Sequence, residues 1–95
     1  MTAVALRVPA ALRDFAEGRA VLDLELGAGA DVGALLDELA VAFPALERRI
    51  RDEQGRLRRH VNVFVGGFNI RDLEALATPL AEGSEVVVLP AVSGG

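Results

Sequence analysis

Val32, Leu35, Leu36, Leu39, Ala40 and Phe43 recur at helical spacing and form one apolar face. Asp31 is placed to cap the start of this helix. Pro44 ends it at about Phe43, because the residue before a proline is pushed out of the αR region. A lone amphipathic helix must bury its face on another layer, and the flanking segments alternate with period two, the pattern of strands.

Val4, Leu6 and Val8 alternate with Ala5 and Arg7, and Pro9 closes that strand. The stretch through Arg19 reads as a loop or turn. A second strand runs from Ala20 to Leu26, with Leu22, Leu24 and Leu26 on one side and Asp23 and Glu25 on the other. Two sequential strands of this kind are most simply an antiparallel hairpin. After the helix, Pro44 opens a short second helical turn carrying Leu46 and Ile50. A third strand covers His60 to Val65, Gly66-Gly67 is a turn, and Phe68-Asn69-Ile70 is a short fourth strand. Leu73, Leu76 and Leu80 fall in a turn-like or 3₁₀ connection, and Glu85 to Leu89 is a final strand rich in β-branched residues.

Hairpin, helix, strand, short strand and final strand is the order of an α+β, ubiquitin-like β-grasp. Its mixed sheet has four to five strands packed on one main helix, with the first and last strands central and parallel. The expected organisation is a β-grasp domain over residues 1–90 and a C-terminal diglycine tail over 91–95.

Composition narrows the chemistry. Ninety-five residues suffice for one core but not for a core plus a deep catalytic cleft. Cysteine is absent, which removes disulfides, thiolate metal sites and a cysteine nucleophile. No secretory signal and no apolar run near the roughly 18 residues of a membrane span is visible, so the expected compartment is cytoplasmic. A net charge of −4 argues against general nucleic-acid binding. All ten basic residues are arginine, so no lysine can form a Schiff base or accept an isopeptide bond.

The chain ends Val92-Ser93-Gly94-Gly95. Without a Cβ, two glycines can thread a channel too narrow for other residues. A carboxylate on such a tether can reach a nucleotide held in another protein, attack the α-phosphate of ATP and become an acyl-adenylate open to a sulfur nucleophile. Gly95 would react, Gly94 would be the slim connector, and Ser93 and Val92 the neck that sets reach. The plain alternative is an ordinary flexible ending of small residues.

Val86-Val87-Val88-Leu89-Pro90-Ala91-Val92-Ser93-Gly94-Gly95 resembles the C-terminus of the ubiquitin-like sulfur carrier proteins of the ThiS/MoaD family. The likeness extends through Leu76-Ala77-Thr78 and Glu82-Gly83. Leu57-Arg58-Arg59-His60-Val61-Asn62-Val63-Phe64-Val65 looks most like the CysO-type branch, the carriers of cysteine synthesis. Ser93 stands where a small alanine is common. The resemblance implies a protein sulfur donor, not an enzyme, with no bound cofactor. An E1-like adenylating enzyme would consume ATP to convert Gly95 to a thiocarboxylate. In the CysO-type branch the sulfur goes to an activated serine on a PLP-dependent synthase, and a JAMM-type protease releases the cysteine. In the MoaD-type branch the carrier is the small subunit of molybdopterin synthase. A different class, a β-grasp interaction subunit that carries no group, stands beside these.

If Glu85 faces water, Val87 and Leu89 share its face while Val86 and Val88 enter the core. Asn62 likewise places Phe64 outward. Phe64, Val87 and Leu89 thus form a candidate partner-docking patch, against the alternative of unremarkable exposed apolar residues. Residues 47–59 hold Arg48, Arg49, Arg51, Arg56, Arg58 and Arg59 against Glu47, Asp52 and Glu53, a local +3 on a chain whose remainder is −7. That segment reads as a solvated loop or as a contact to an acidic partner. His60 lacks a triad or metal-ligand set, Asp37-Glu38 diverge on the helix, and Gly66-Gly67 lacks the lysine of a phosphate loop. No catalytic residue and no metal site is expected.

Overall fold

The first two strands, β1 (Thr2–Arg7) and β2 (Val21–Leu26), pair antiparallel from Thr2↔Leu26 to Arg7↔Val21. Helix α1 (Val32–Ala42) follows, then α2 (Pro44–Ile50), β3 (Val61–Val65), β4 (Phe68–Asn69) and β5 (Glu85–Pro90). The structure is a computed structural model that describes residues 1–90. Its mixed sheet has the order β2-β1-β5-β3-β4, so the strand nearest the C-terminus lies in the middle. β5 runs parallel to β1 and antiparallel to β3. This is the β-grasp, with five strands.

Asp31 caps α1 as its position suggests, its Oδ1 accepting from the Ala34 N–H at 2.8 Å, a bond worth about 1 kcal/mol. Leu35, Leu36 and Leu39 are fully buried, as are Leu6, Leu22, Val63, Val86 and Val88 from the sheet. Phe43 ends α1 and Pro44 opens α2, which buries Leu46 and Ile50. Gly33 sits on α1 where a Cβ would lie 3.3 Å from the Leu76 carbonyl oxygen, so the helix and the 75–77 turn approach closely there. Gly66 and Gly67 both take positive φ, 59° and 87°, as a two-residue hairpin turn demands.

Several segments differ from their sequence expectation, some of them by one residue only: β2 begins at Val21, not Ala20, and β5 runs on to Pro90. The connection after Pro9 is not an open loop but a 3₁₀ helix, Ala10–Ala16, which buries Ala16 and packs Leu12 and Phe15 against the core. Seven residues are too few to register a helical period, which hid it. The fourth strand stops at Asn69, because Ile70 begins a 3₁₀ turn, Ile70–Asp72, with Asn69 Oδ1 accepting from the Arg71 N–H. The third strand begins at Val61, not His60.

One polar cluster is buried beside α2. Arg51 Nε donates to Glu47 Oε2 at 2.7 Å and its Nη2 to Asp37 Oδ1 at 3.0 Å. The Arg51 and Glu47 side chains are only 10% and 12% exposed, whereas Asp37 is on the surface. Removing one member strands the other charge in a poorly solvated place. Arg51→Ala should therefore cost about 3 kcal/mol in a urea melt, and Glu47→Leu/Arg51→Leu should recover most of it. A double variant as unstable as the single one would show that the pair, and not the stranded charge, governs stability.

Candidate functional site

The end of β5 organises this region. Its last registered pair is Val61↔Pro90, so the chain departs the sheet beside His60. Residues 91–95 lie outside the described residues, and with them Val92, Ser93, Gly94 and Gly95. What the structure supplies is the platform from which they extend.

On the outer face of the sheet, Phe64 stands opposite Val87 and Asn62 opposite Leu89. The phase expected from Glu85 holds: Val86 and Val88 are buried, Val87 is half-buried and Leu89 is 44% exposed. Phe64 is also half-buried, so the three proposed docking residues lie together on two neighbouring strands. A direct cross-strand pair such as Phe64–Val87 contributes about 0.5 kcal/mol, and its remaining exposed edge is free for contact. Arg7 borders Val87 on the parallel strand and donates to Glu85 Oε2 at 2.8 Å. A depression of about 180 Å³ lies beside the patch, lined by Arg7, Pro9, Arg13, Val87 and Leu89 among others. Arg7, Pro9 and Arg13 escape a reading along the chain, because only the parallel pairing of β1 with β5 brings them to this end of the sheet.

The arginine-rich segment packs at the same end. Asp52 Oδ1 accepts from the N–H groups of Gln54 and Arg56, both at 2.9 Å, and closes the turn. Those bonds, the Arg56 one foremost, hold the Asp52 carboxyl below its ordinary pKa. Arg58 Nε donates to the Arg48 carbonyl at 2.8 Å, satisfying an acceptor near the end of α2. Arg71 Nη2 donates to the carbonyls of Arg58 and Val61, at 2.9 and 2.7 Å, and clamps the entry to β3. His60 is exposed. Asp37 and Glu38 are exposed neighbours on α1, with Asp37 engaged by Arg51.

Among the described residues, no three His, Cys, Asp or Glu side chains gather closely enough to hold a metal ion. No helix among them is long and apolar enough to cross a membrane. The arrangement offers the end of a central strand, a small apolar patch and a cationic border.

Comparison with known proteins agrees with that arrangement. The ThiS family profile matches residues 6–95. The sulfur carrier protein CysO of Mycobacterium tuberculosis is 32% identical, over 97% of this chain and 98% of its own. Small archaeal modifier protein 1 of Haloferax volcanii is 38% identical over 86% of this chain and 92% of its own. A crystal structure of that modifier superposes with a TM-score of 0.83, covering 98% of this chain and 99% of the other. The CysO chain in the Amycolatopsis orientalis BexX/CysO complex superposes with a TM-score of 0.81 at 28% identity, covering 97% and 99%. The β-grasp sheet, the full-length likeness to CysO and a family match that runs through the final residue lead to one conclusion: this chain belongs to the ThiS family, as a ubiquitin-like sulfur carrier protein of CysO-like type.

Proposed function

We propose that this carrier holds its sulfur as a thiocarboxylate on Gly95 and delivers it for the synthesis of cysteine or a related sulfur metabolite. The observation that carries the reading is the placement of β5. The central strand of a rigid sheet ends at Pro90, five residues before Gly95, so the fold anchors the tether at its root. A carboxylate oxygen of Gly95 would attack the α-phosphate of ATP on an E1-like enzyme, expelling pyrophosphate. A sulfide-equivalent nucleophile would then attack the acyl carbon and expel AMP, leaving the thiocarboxylate. Gly94, Ser93 and Val92 would thread the partner's channel, where the missing Cβ of Gly94 matters most. ATP is bound and consumed by the partner, and the carrier itself is a co-substrate and not a catalyst.

A PLP-dependent synthase is the favoured acceptor, with a JAMM-type protease releasing the product. The 32% identity to a CysO over nearly the whole chain supports that branch. The BexX/CysO complex, in which a CysO is bound to another protein, supports a reading in which this carrier docks on a partner protein. A MoaD-type role would share every step up to the thiocarboxylate and differ only in the acceptor. The cytoplasm is the compartment in which these partners would be met.

With ATP and the activating enzyme of its own organism, the chain should support pyrophosphate exchange. Adding the sulfur donor should raise its intact mass by the difference between one sulfur and one oxygen. Deletion of Gly95 should abolish both. Exchange that persists without Gly95, or binding to the enzyme with no exchange at all, would replace the carrier with a non-carrying interaction subunit.

Phe64, Val87 and Leu89 would be the apolar contact beside the tail. Leu89→Asp places a charge on an exposed strand end, so its effect on stability should stay within about 0.5 kcal/mol. Its affinity for the activating enzyme should fall by about tenfold or more, as for an apolar anchor near the centre of an interface. Unchanged affinity in a titration would remove this patch from the docking surface.

A further inference from the structure

The structure treats its arginines in two ways. Arg51 is consumed by Glu47 and Asp37. Arg48 and Arg56 reach Glu53 and Asp52 only at 3.7 Å, in exposed pairs that neutralise little. Arg7 pairs with Glu85 at 2.8 Å. Three more near the end of β5 or the segment before β3 have no salt-bridge partner among the described residues. Arg13 Nε donates to the Val8 carbonyl at 3.1 Å, and Arg58 Nε to the Arg48 carbonyl. The Arg49 guanidinium stacks 4.5 Å from the centre of the Phe15 ring. A carbonyl or an aromatic face fixes a guanidinium in place yet leaves its full charge outstanding.

Two adjoining open grooves of about 460 and 490 Å³ share Arg58 and His60. The first also has Phe15, Arg48 and Arg49 on its walls, and the second Arg56 and Arg59 with one carboxylate, Asp52, which the turn's N–H groups already engage. His60 precedes Val61, the partner of Pro90, so this cationic surface adjoins the root of the tail. The other end of the sheet carries carboxylates: Glu25 lies opposite Ala3, Glu82 accepts from the Ala3 N–H at 2.9 Å, and Glu85, which opens β5, is offset in part by Arg7. The charge is therefore polarised along the strands of a molecule that is −4 in total.

We propose that Arg49 and Arg58, held in place by Phe15 and the Arg48 carbonyl, together with the exposed Arg59 and His60 form a docking surface for an acidic face of the protein that receives the C-terminal tail. The sheet's charge polarity would turn the carrier tail-first during approach. Carboxylates on a protein fit better than phosphate. The guanidinium groups spread across two open grooves and converge on no single point. The surface is argued from the described residues; only the identity of the recipient as an activating enzyme rests on the carrier reading.

The test uses the ¹⁵N-labelled full chain at low ionic strength, titrated with a glutamate decapeptide, and in parallel with ATP and with inorganic phosphate. The peptide should shift the Nε signals of Arg49, Arg58 and Arg59 and the amide of His60, saturably and reversibly with salt. Arg49→Gln/Arg59→Gln should weaken this binding by about tenfold. Ala28→Glu/Ala81→Glu makes the same change in net charge at the acidic end and should leave binding nearly unaltered. Equal weakening by both double variants would reduce the effect to net charge and overturn the proposal. So would silence at the arginines, or tighter binding of ATP or phosphate at the same residues. In pyrophosphate exchange, Arg49→Gln/Arg59→Gln should raise the KM for the carrier by about tenfold with kcat retained, whereas deletion of Gly95 abolishes exchange. An unchanged KM would exclude the activating enzyme as the recipient. Exchange that survives loss of Gly95 defeats the carrier reading instead, and the peptide titration still judges the surface.

Discussion

Everything in this fold depends on one insertion: β5 entering between β1 and β3. The strand contributes Val86 and Val88 to the core and makes parallel pairs with Ala5, Leu6 and Arg7 on one side. On the other it pairs with β3 from Val65 to Val61. The pairing with β1 joins segments about eighty residues apart, a large loop-closure cost that the buried face must offset. Without it, β1–β2 would be an isolated hairpin and β3–β4 another, each marginal alone. The strand that precedes the C-terminal residues is thus also the keystone of the sheet.

This arrangement explains why so small a protein can act without a cleft. The sheet and α1 fill the interior with aliphatic side chains, and apart from the buried Glu47–Arg51 pair the charged groups of the described residues lie on the rim. What is left for function is presentation: where the chain end leaves, which apolar side chains flank it, and which charges surround it. The two outward features differ in origin. Phe64, Val87 and Leu89 come from strand alternation, while the cationic border is assembled from the 3₁₀ segment, α2 and the loop before β3.

That difference also marks what was legible in the residues alone. The apolar stripe of α1, the Pro44 boundary and the phase of β5 were readable, because each is a local periodicity or a backbone restriction. Gly66-Gly67 was readable as a turn for the same reason. The 3₁₀ segment at Ala10–Ala16 was not, since its apolar residues Leu12, Phe15 and Ala16 are too few to separate a helical period from chance. The two states of the arginines were hidden too. Nothing in the order of residues 47–59 tells Arg51, inside a buried ion pair, from Arg58, bound to a carbonyl. Only the packing of α2 against α1 and the turn closed by Asp52 separate them. The tail is the reverse case: its two glycines and the family likeness suggest a chemistry, while Val92 to Gly95 lie outside the described residues and the structure locates only the strand before them.

The carbonyl-anchored arginines have a consequence for how the surface responds to acidity. An arginine held by a carboxylate is released when that carboxylate takes up a proton, and the side chain then wanders. Arg13, Arg58 and Arg71 are fastened to backbone oxygens, which do not titrate, through a group that stays protonated at any cellular pH. Neither half of these contacts changes with pH. As the medium acidifies, the Asp and Glu side chains lose charge and the acidic end of the sheet fades, while these backbone-held arginines keep both their anchors and their sign.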